Sequence, residues 1–139
     1  MIETDDRGLL LGDGLFETVL WLEGLIDFAA HARRLQRGCG VIGLPAPETE
    51  VLESAAIVAV RAAGLEGERA AVRLTWTAGS GGRGLDRPDP VTPRLIASAA
   101  PSPVPAEPAR LLTSDIARND RSPASRLKTL AYLDNVLAR

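Results

Sequence analysis

Gly12-Asp13-Gly14-Leu15-Phe16-Glu17-Thr18-Val19-Leu20-Trp21-Leu22 leaves a glycine-flanked turn and runs into a β-branched and aromatic stretch that stops at Glu23-Gly24. Such side chains suit a pleated, half-buried surface, so residues 15–22 read as a strand. The second apolar run, Leu25-Ile26-Asp27-Phe28, reads as its β-hairpin partner across Glu23-Gly24. On the N-terminal side, residues 7–14 read as a glycine-punctuated loop leading into the strand. Downstream the period changes from two to between three and four. Ala32, Leu35 and Cys39 mark a helix over residues 29–42 that Gly43-Leu44-Pro45 ends. Val51, Ala55, Val58 and Ala62 mark a second helix over residues 47–63, closed by Gly64. The alternating run Ala70-Ala71-Val72-Arg73-Leu74-Thr75-Trp76-Thr77 predicts a strand, and Arg94-Leu95-Ile96-Ala97-Ser98-Ala99 another, with a glycine loop between them. Residues 1–100 therefore predict a small α+β domain.

Four prolines between Pro101 and Pro108 favour an extended segment that neither helix nor central strand can continue, so residues 101–109 read as an interdomain linker. Residues 110–139 read as the start of a further domain: a short strand at 110–114, a polar turn over 118–125, and a helix from about Thr129 onward.

The chain has 139 residues, 45% hydrophobic and 24% charged, which suits a folded globular chain rather than a disordered one. Its net charge of -2 gives no drive toward nucleic acid or anionic lipid. No apolar run approaches the roughly 20 residues of a membrane span, and the acidic start is unlike a signal peptide. A cytoplasmic protein is expected. The single cysteine, Cys39, excludes an internal disulfide and a cysteine-based zinc site, and the single histidine, His31, makes a metal centre a poor expectation.

Among the 16 basic residues the only lysine is Lys128. An arginine-biased chain can keep one stray surface lysine. A desolvated lysine amine, however, is a nucleophile toward carbonyl compounds, and a guanidinium is not. Lys128 lies in Ser125-Arg126-Leu127-Lys128-Thr129-Leu130-Ala131-Tyr132-Leu133-Asp134-Asn135, with the only tyrosine four residues on, a spacing that on a helix turns both toward one cleft. His31 and Arg34 share a helix face; arginines there commonly only solvate a surface. Gly79-Ser80-Gly81-Gly82-Arg83-Gly84 reads equally as a flexible hairpin tip or as a loop whose amides and Arg83 receive an anion.

Taken in order, Asp6-Arg7-Gly8, Gly12-Asp13-Gly14-Leu15-Phe16-Glu17-Thr18, His31-x-x-Arg34-Leu35, Gly79 to Gly84, Ala117-Arg118-Asn119 and Lys128-Thr129-Leu130-Ala131-Tyr132-Leu133 resemble the fold-type IV pyridoxal-phosphate enzymes, the class IV aminotransferases and their relatives. The resemblance implies the N-terminal small domain of that fold plus the beginning of the larger C-terminal one. It also implies pyridoxal 5'-phosphate as cofactor, Lys128 as the amine joined to it, Arg34 at its phosphate and Tyr132 near its phenolic oxygen. The glycine loop is most similar to that of the aminodeoxychorismate lyases of folate biosynthesis, which convert 4-amino-4-deoxychorismate to 4-aminobenzoate and pyruvate. Arg83 would then hold a substrate carboxylate. A branched-chain or D-amino-acid aminotransferase is the alternative within the family. The implied partner is a small amino-acid-like substrate, and the implied full-length assembly a homodimer. Family members run to about twice this length, so the chain resembles a truncated enzyme, and Asp134 lies too near Lys128 to serve as the acid opposite the pyridine nitrogen. A fragment of this kind is expected to be nearly inactive, and a reading of a different class is an inactive association module with uncovered apolar faces.

Overall fold

A computed structural model describes residues 2–139. Asp6 starts a short helix, α1 (Arg7–Leu11), by accepting from the Gly8 amide, so the segment expected as a loop is helical at its centre. The first strand, β1 (Gly14–Trp21), follows. Two helices come next, α2 (Phe28–Ile42) and α3 (Thr49–Ala62), then β2 (Ala70–Thr77) and β3 (Arg94–Pro101). The three strands form an antiparallel sheet in the order β1-β2-β3, with Val19 opposite Val72 and Leu74 opposite Ala97.

The sheet packs one face against α2 and α3, with α2 over β1 and α3 over β2 and β3. Strand alternation places Leu15 and Val19 of β1 and Ala70, Val72 and Leu74 of β2 in the core beneath them. Helix α2 contributes Ala32, Leu35 and Cys39, the expected stripe. Helix α3 contributes Leu52, Ala56, Ala59 and Val60, whereas Val51 and Val58 are 50% and 59% exposed. That helix is apolar on most sides, so spacing alone could not select the face that meets the sheet.

The expected hairpin is reduced to one bridge between Trp21 and Leu25, because Phe28 is drawn into α2. The strand expected at 110–114 is absent: Leu111 and Leu112 are exposed, and nothing among the described residues pairs with that segment. The helix expected from Thr129 begins only at Leu133, as α4 (Leu133–Leu137), after a single 3-10 turn over Pro123–Arg126. The reason is that residues 128–130 have another partner. The Phe16 amide donates to the Lys128 carbonyl (2.9 Å) and the Leu130 amide to the Gly14 carbonyl (3.1 Å), so this segment lies antiparallel along the free edge of β1. Lys128 and Asp134 accordingly share no helix.

Gly14 is needed for that edge. A Cβ there would stand 2.5 Å from the Trp76 carbonyl oxygen and 2.9 Å from Leu130 Cδ1. Gly14→Ala must shift the β1–β2 ladder and is expected to destabilise the chain by about 1–3 kcal/mol. Gly40→Ala, on the open side of α2 with nothing within 4 Å, should instead stabilise by up to about 1 kcal/mol. Urea denaturation of the two variants checks the contrast, which equal effects would contradict.

Candidate active site

The edge pairing that interrupts the expected helix also delivers Lys128. With its carbonyl bonded to Phe16, its amine reaches back over the Phe16 ring, 4.2 Å from the centroid. Tyr132 packs edge-on against the same ring at 5.0 Å, and the Arg73 guanidinium lies 3.7 Å from its centroid. Lys128 and Tyr132 therefore meet through a shared aromatic ring rather than through helical spacing. The amine is 5.5 Å from the Tyr132 centroid.

Lys128 lines a cleft of about 340 Å³, within the usual range for small-ligand sites, whose wall also holds Phe16, Glu17, Arg34, Arg37 and Arg126. Glu17 is the residue that motif reading passed over. It is 1% exposed, inside the apolar strand β1, and Arg34 clasps it through Nε to Oε1 (2.6 Å) and Nη2 to Oε2 (2.5 Å). His31 Nδ1 lies 2.8 Å from Oε2. Burial pushes the Glu17 carboxyl up, but the hydrogen bonds and charges of Arg34 and His31 outweigh it and hold the group below its ordinary value. The matching effect on Arg34, led by the bond to Glu17, raises its guanidinium further. The one available signal was a carboxylate at an inward position, alternating with Leu15 and Val19.

Arg83 lies apart from that wall, exposed on the loop between β2 and β3. The loop is held from inside. Arg7, 4% exposed, donates to the carbonyls of Leu85 (3.0 Å) and Asp86 (2.9 Å), with longer contacts to those of Gly81 and Gly84, and its Nε binds Asp13 (3.0 Å). Carbonyl groups of the glycine segment thus face a buried cation, where the sequence reading considered amides facing an anion. Arg87 closes the network on Asp13 at 2.6 and 2.9 Å. Asp6 is fully buried and accepts from Thr77 Oγ1 (2.9 Å). The Asp6-Arg7-Gly8 and Gly12-Asp13-Gly14 motifs are therefore braces of the fold.

The hydrogen bond from Arg87 holds the Asp13 carboxyl below its ordinary value, against burial, and Arg7 adds to it. Because the folded values of Asp13 and Glu17 are depressed, the unfolded chain binds more protons in the acid range. Their contribution to stability is complete above the unfolded values of 3.8 and 4.5, and is lost as pH falls through the lower folded ones. Urea midpoints should therefore be flat near neutrality and fall below about pH 4.5. Asp13→Asn should lower the neutral plateau and flatten that fall. An unchanged slope would contradict the assignment.

The Amino-transferase class IV pattern matches residues 14–139, so it covers the cleft and both of its walls. The chain belongs to the class IV aminotransferase family. Class IV aminotransferases are pyridoxal-phosphate enzymes. The chain is similar to 4-amino-4-deoxychorismate lyase from Pseudomonas aeruginosa, at 32% identity and TM-score 0.77 over 100% of this chain and 52% of that one. It is similar to a hypothetical aminotransferase from Mycobacterium tuberculosis in its PLP-bound form, at 26% identity and TM-score 0.73 over 99% of this chain and 50% of that one. Branched-chain amino acid aminotransferase from Escherichia coli shares the fold at 19% identity and TM-score 0.80, over 99% of this chain and 49% of that one. No curated protein matches. The chain spans about half the length of these solved structures. Among the described residues, no helix of this class IV chain is long and apolar enough to cross a membrane.

Proposed function

We propose that this chain carries the lysine-bearing cleft of a pyridoxal-phosphate-dependent lyase that converts 4-amino-4-deoxychorismate to 4-aminobenzoate and pyruvate. One observation carries the reading: the only lysine of the chain opens onto the same cleft as Arg34. The residues fit the cofactor by their chemistry. An amine can join its aldehyde, and cationic side chains on the same wall can meet its phosphate. Bound there, pyridoxal phosphate supplies a ring that withdraws electrons from the carbon bearing the substrate's nitrogen.

The chain's own groups do the rest. Lys128 would hold the cofactor through its amine and, once that amine is free, would take the proton from the amine-bearing carbon. Phe16 and Tyr132 flank the amine and limit its motion, and Tyr132 would hold the cofactor's phenolic oxygen. Arg34, held in place by Glu17, presents the rest of its guanidinium to the phosphate. Arg83, on the loop braced by Arg7, takes a substrate carboxylate. Homodimeric assembly and a cytoplasmic setting belong to the same proposal. Exposed Leu9, Leu10 and Leu85 support the first.

The similarity to the Pseudomonas lyase favours elimination over amino transfer. Incubation with 4-amino-4-deoxychorismate and cofactor should yield 4-aminobenzoate and pyruvate in equal amounts. Glu17 is the one carboxylate on the cleft wall among the described residues, and Arg34 and His31 already hold it. A low rate is therefore expected, and the product ratio is the readout. Transfer of an amino group to an added keto acid, with no pyruvate, would overturn the lyase reading in favour of an aminotransferase.

A further inference from the structure

Arg34 is the arginine marked by the family motif, yet its Nε and one terminal nitrogen are already committed to Glu17. An anion in the cleft would find only part of that guanidinium available. Two other arginines line the same cleft. Arg37 lies one turn beyond Arg34 on α2, and Arg126 ends the 3-10 turn two residues before Lys128. Both are exposed, and neither has a hydrogen-bond or ion-pair partner among the described residues.

The charge distribution is unusual for this chain. Overall it carries 18 acidic residues against 16 basic ones, but the cleft wall gathers Arg34, Arg37, Arg126 and Lys128 around one carboxylate that Arg34 neutralises. Unpaired cations lining one cleft repel one another and focus a positive potential outward. An anionic ligand relieves both. A carboxylate offers two oxygens, which a single bidentate guanidinium can occupy; a phosphate monoester offers three terminal oxygens and a second charge, so it can accept from guanidinium groups on opposite walls. Arg37 comes from the helix wall and Arg126 from the segment that pairs with β1.

We propose that Arg37 and Arg126 form a two-walled anion site that takes a dianionic phosphate monoester, with Arg34 as the member fixed by Glu17. That the ester is the cofactor's rests on the function proposed above; the anion site itself is tested without it. Inorganic phosphate is titrated calorimetrically into the whole chain at low ionic strength and pH 8, with malonate as a dicarboxylate of similar charge. Phosphate should bind more tightly than malonate, Arg37→Ala and Arg126→Ala should each weaken it roughly tenfold, and the double variant should weaken it further. Arg33→Ala, exposed on α2 and off the cleft wall, should change nothing. No phosphate binding to the unaltered chain, equal binding of malonate, or full affinity in the double variant would each overturn the site.

A parallel arm reduces the double variant with borohydride in the presence of pyridoxal, which has the aldehyde but no phosphate. A label on Lys128 together with lost phosphate affinity is the expected result. Lost phosphate affinity with no label would refute the cofactor reading and leave the anion site standing.

Discussion

Lys128→Arg is expected to abolish covalent capture of pyridoxal phosphate at this position and, with it, all turnover. The substitution keeps a cation where the Lys128 amine now sits, 4.2 Å from the centre of the Phe16 ring, and leaves untouched the backbone bond from the Phe16 amide that holds the segment to β1. A guanidinium stays protonated in a protein and has no free electron pair for a carbonyl carbon, so charge is conserved while nucleophilicity is removed. Position 128 lies at a partly open edge, and stability should change by less than about 0.5 kcal/mol. The effect is therefore separable from misfolding. Equal thermal midpoints with loss of the cofactor's visible absorbance change are expected, and retention of that change in the variant would contradict the assignment.

Arg7→Ala carries the largest expected cost in stability. Arg7 is 4% exposed and ties Asp13 to the carbonyls of Leu85 and Asp86, so it joins α1, the start of β1 and the loop between β2 and β3. Its removal leaves Asp13 with Arg87 alone and strips several loop carbonyls of their donor. Removing one member of a buried, hydrogen-bonded pair costs about 3–5 kcal/mol, which at roughly 4 °C per kcal/mol in a domain of this size lowers the thermal midpoint by more than about 10 °C. Arg7→Lys should recover little, because one ammonium cannot meet a carboxylate and two carbonyls along the edge of a planar fork. A loss below about 1 kcal/mol in Arg7→Ala would show that the loop is held by other means.

The parts of this fold that were legible in the sequence are those set by local pattern. Strand β2 alternates over its first five residues, with Ala70, Val72 and Leu74 inward, and α2 has arginines beside its apolar stripe, so each could be read one residue at a time. Helix α3 could be recognised as a helix but not oriented. Val51, Leu52, Ala55, Ala56, Val58 and Val60 surround it with apolar groups, and contact with the sheet, which no local window contains, selects Leu52, Ala56 and Val60.

The candidate site divides in the same way. Lys128 was conspicuous as the only lysine, and Arg34 through its spacing from His31, but the contact that turns Lys128 toward Arg34 is a pairing with Phe16, more than a hundred residues earlier in the chain. Read locally, residues 129–139 favour a helix; the long-range backbone bonds to β1 override that preference as far as Leu130. Glu17 was obscured because its neighbours are strand formers. Its charge becomes informative only once the buried face of β1 is known. The Arg7 network was hidden for the opposite reason: a glycine-rich segment suggests freedom, and the cation that removes it comes from α1.

On the proposed function the amine of Lys128 engages the cofactor, and this can be measured directly because a single lysine leaves only the N-terminal amine as a competitor. The unaltered chain is incubated with pyridoxal phosphate, reduced with borohydride, digested and mapped by mass spectrometry. One pyridoxyl group on the peptide containing Lys128 is the predicted result; a label confined to the N-terminal amine, with Lys128 unmodified, would contradict it.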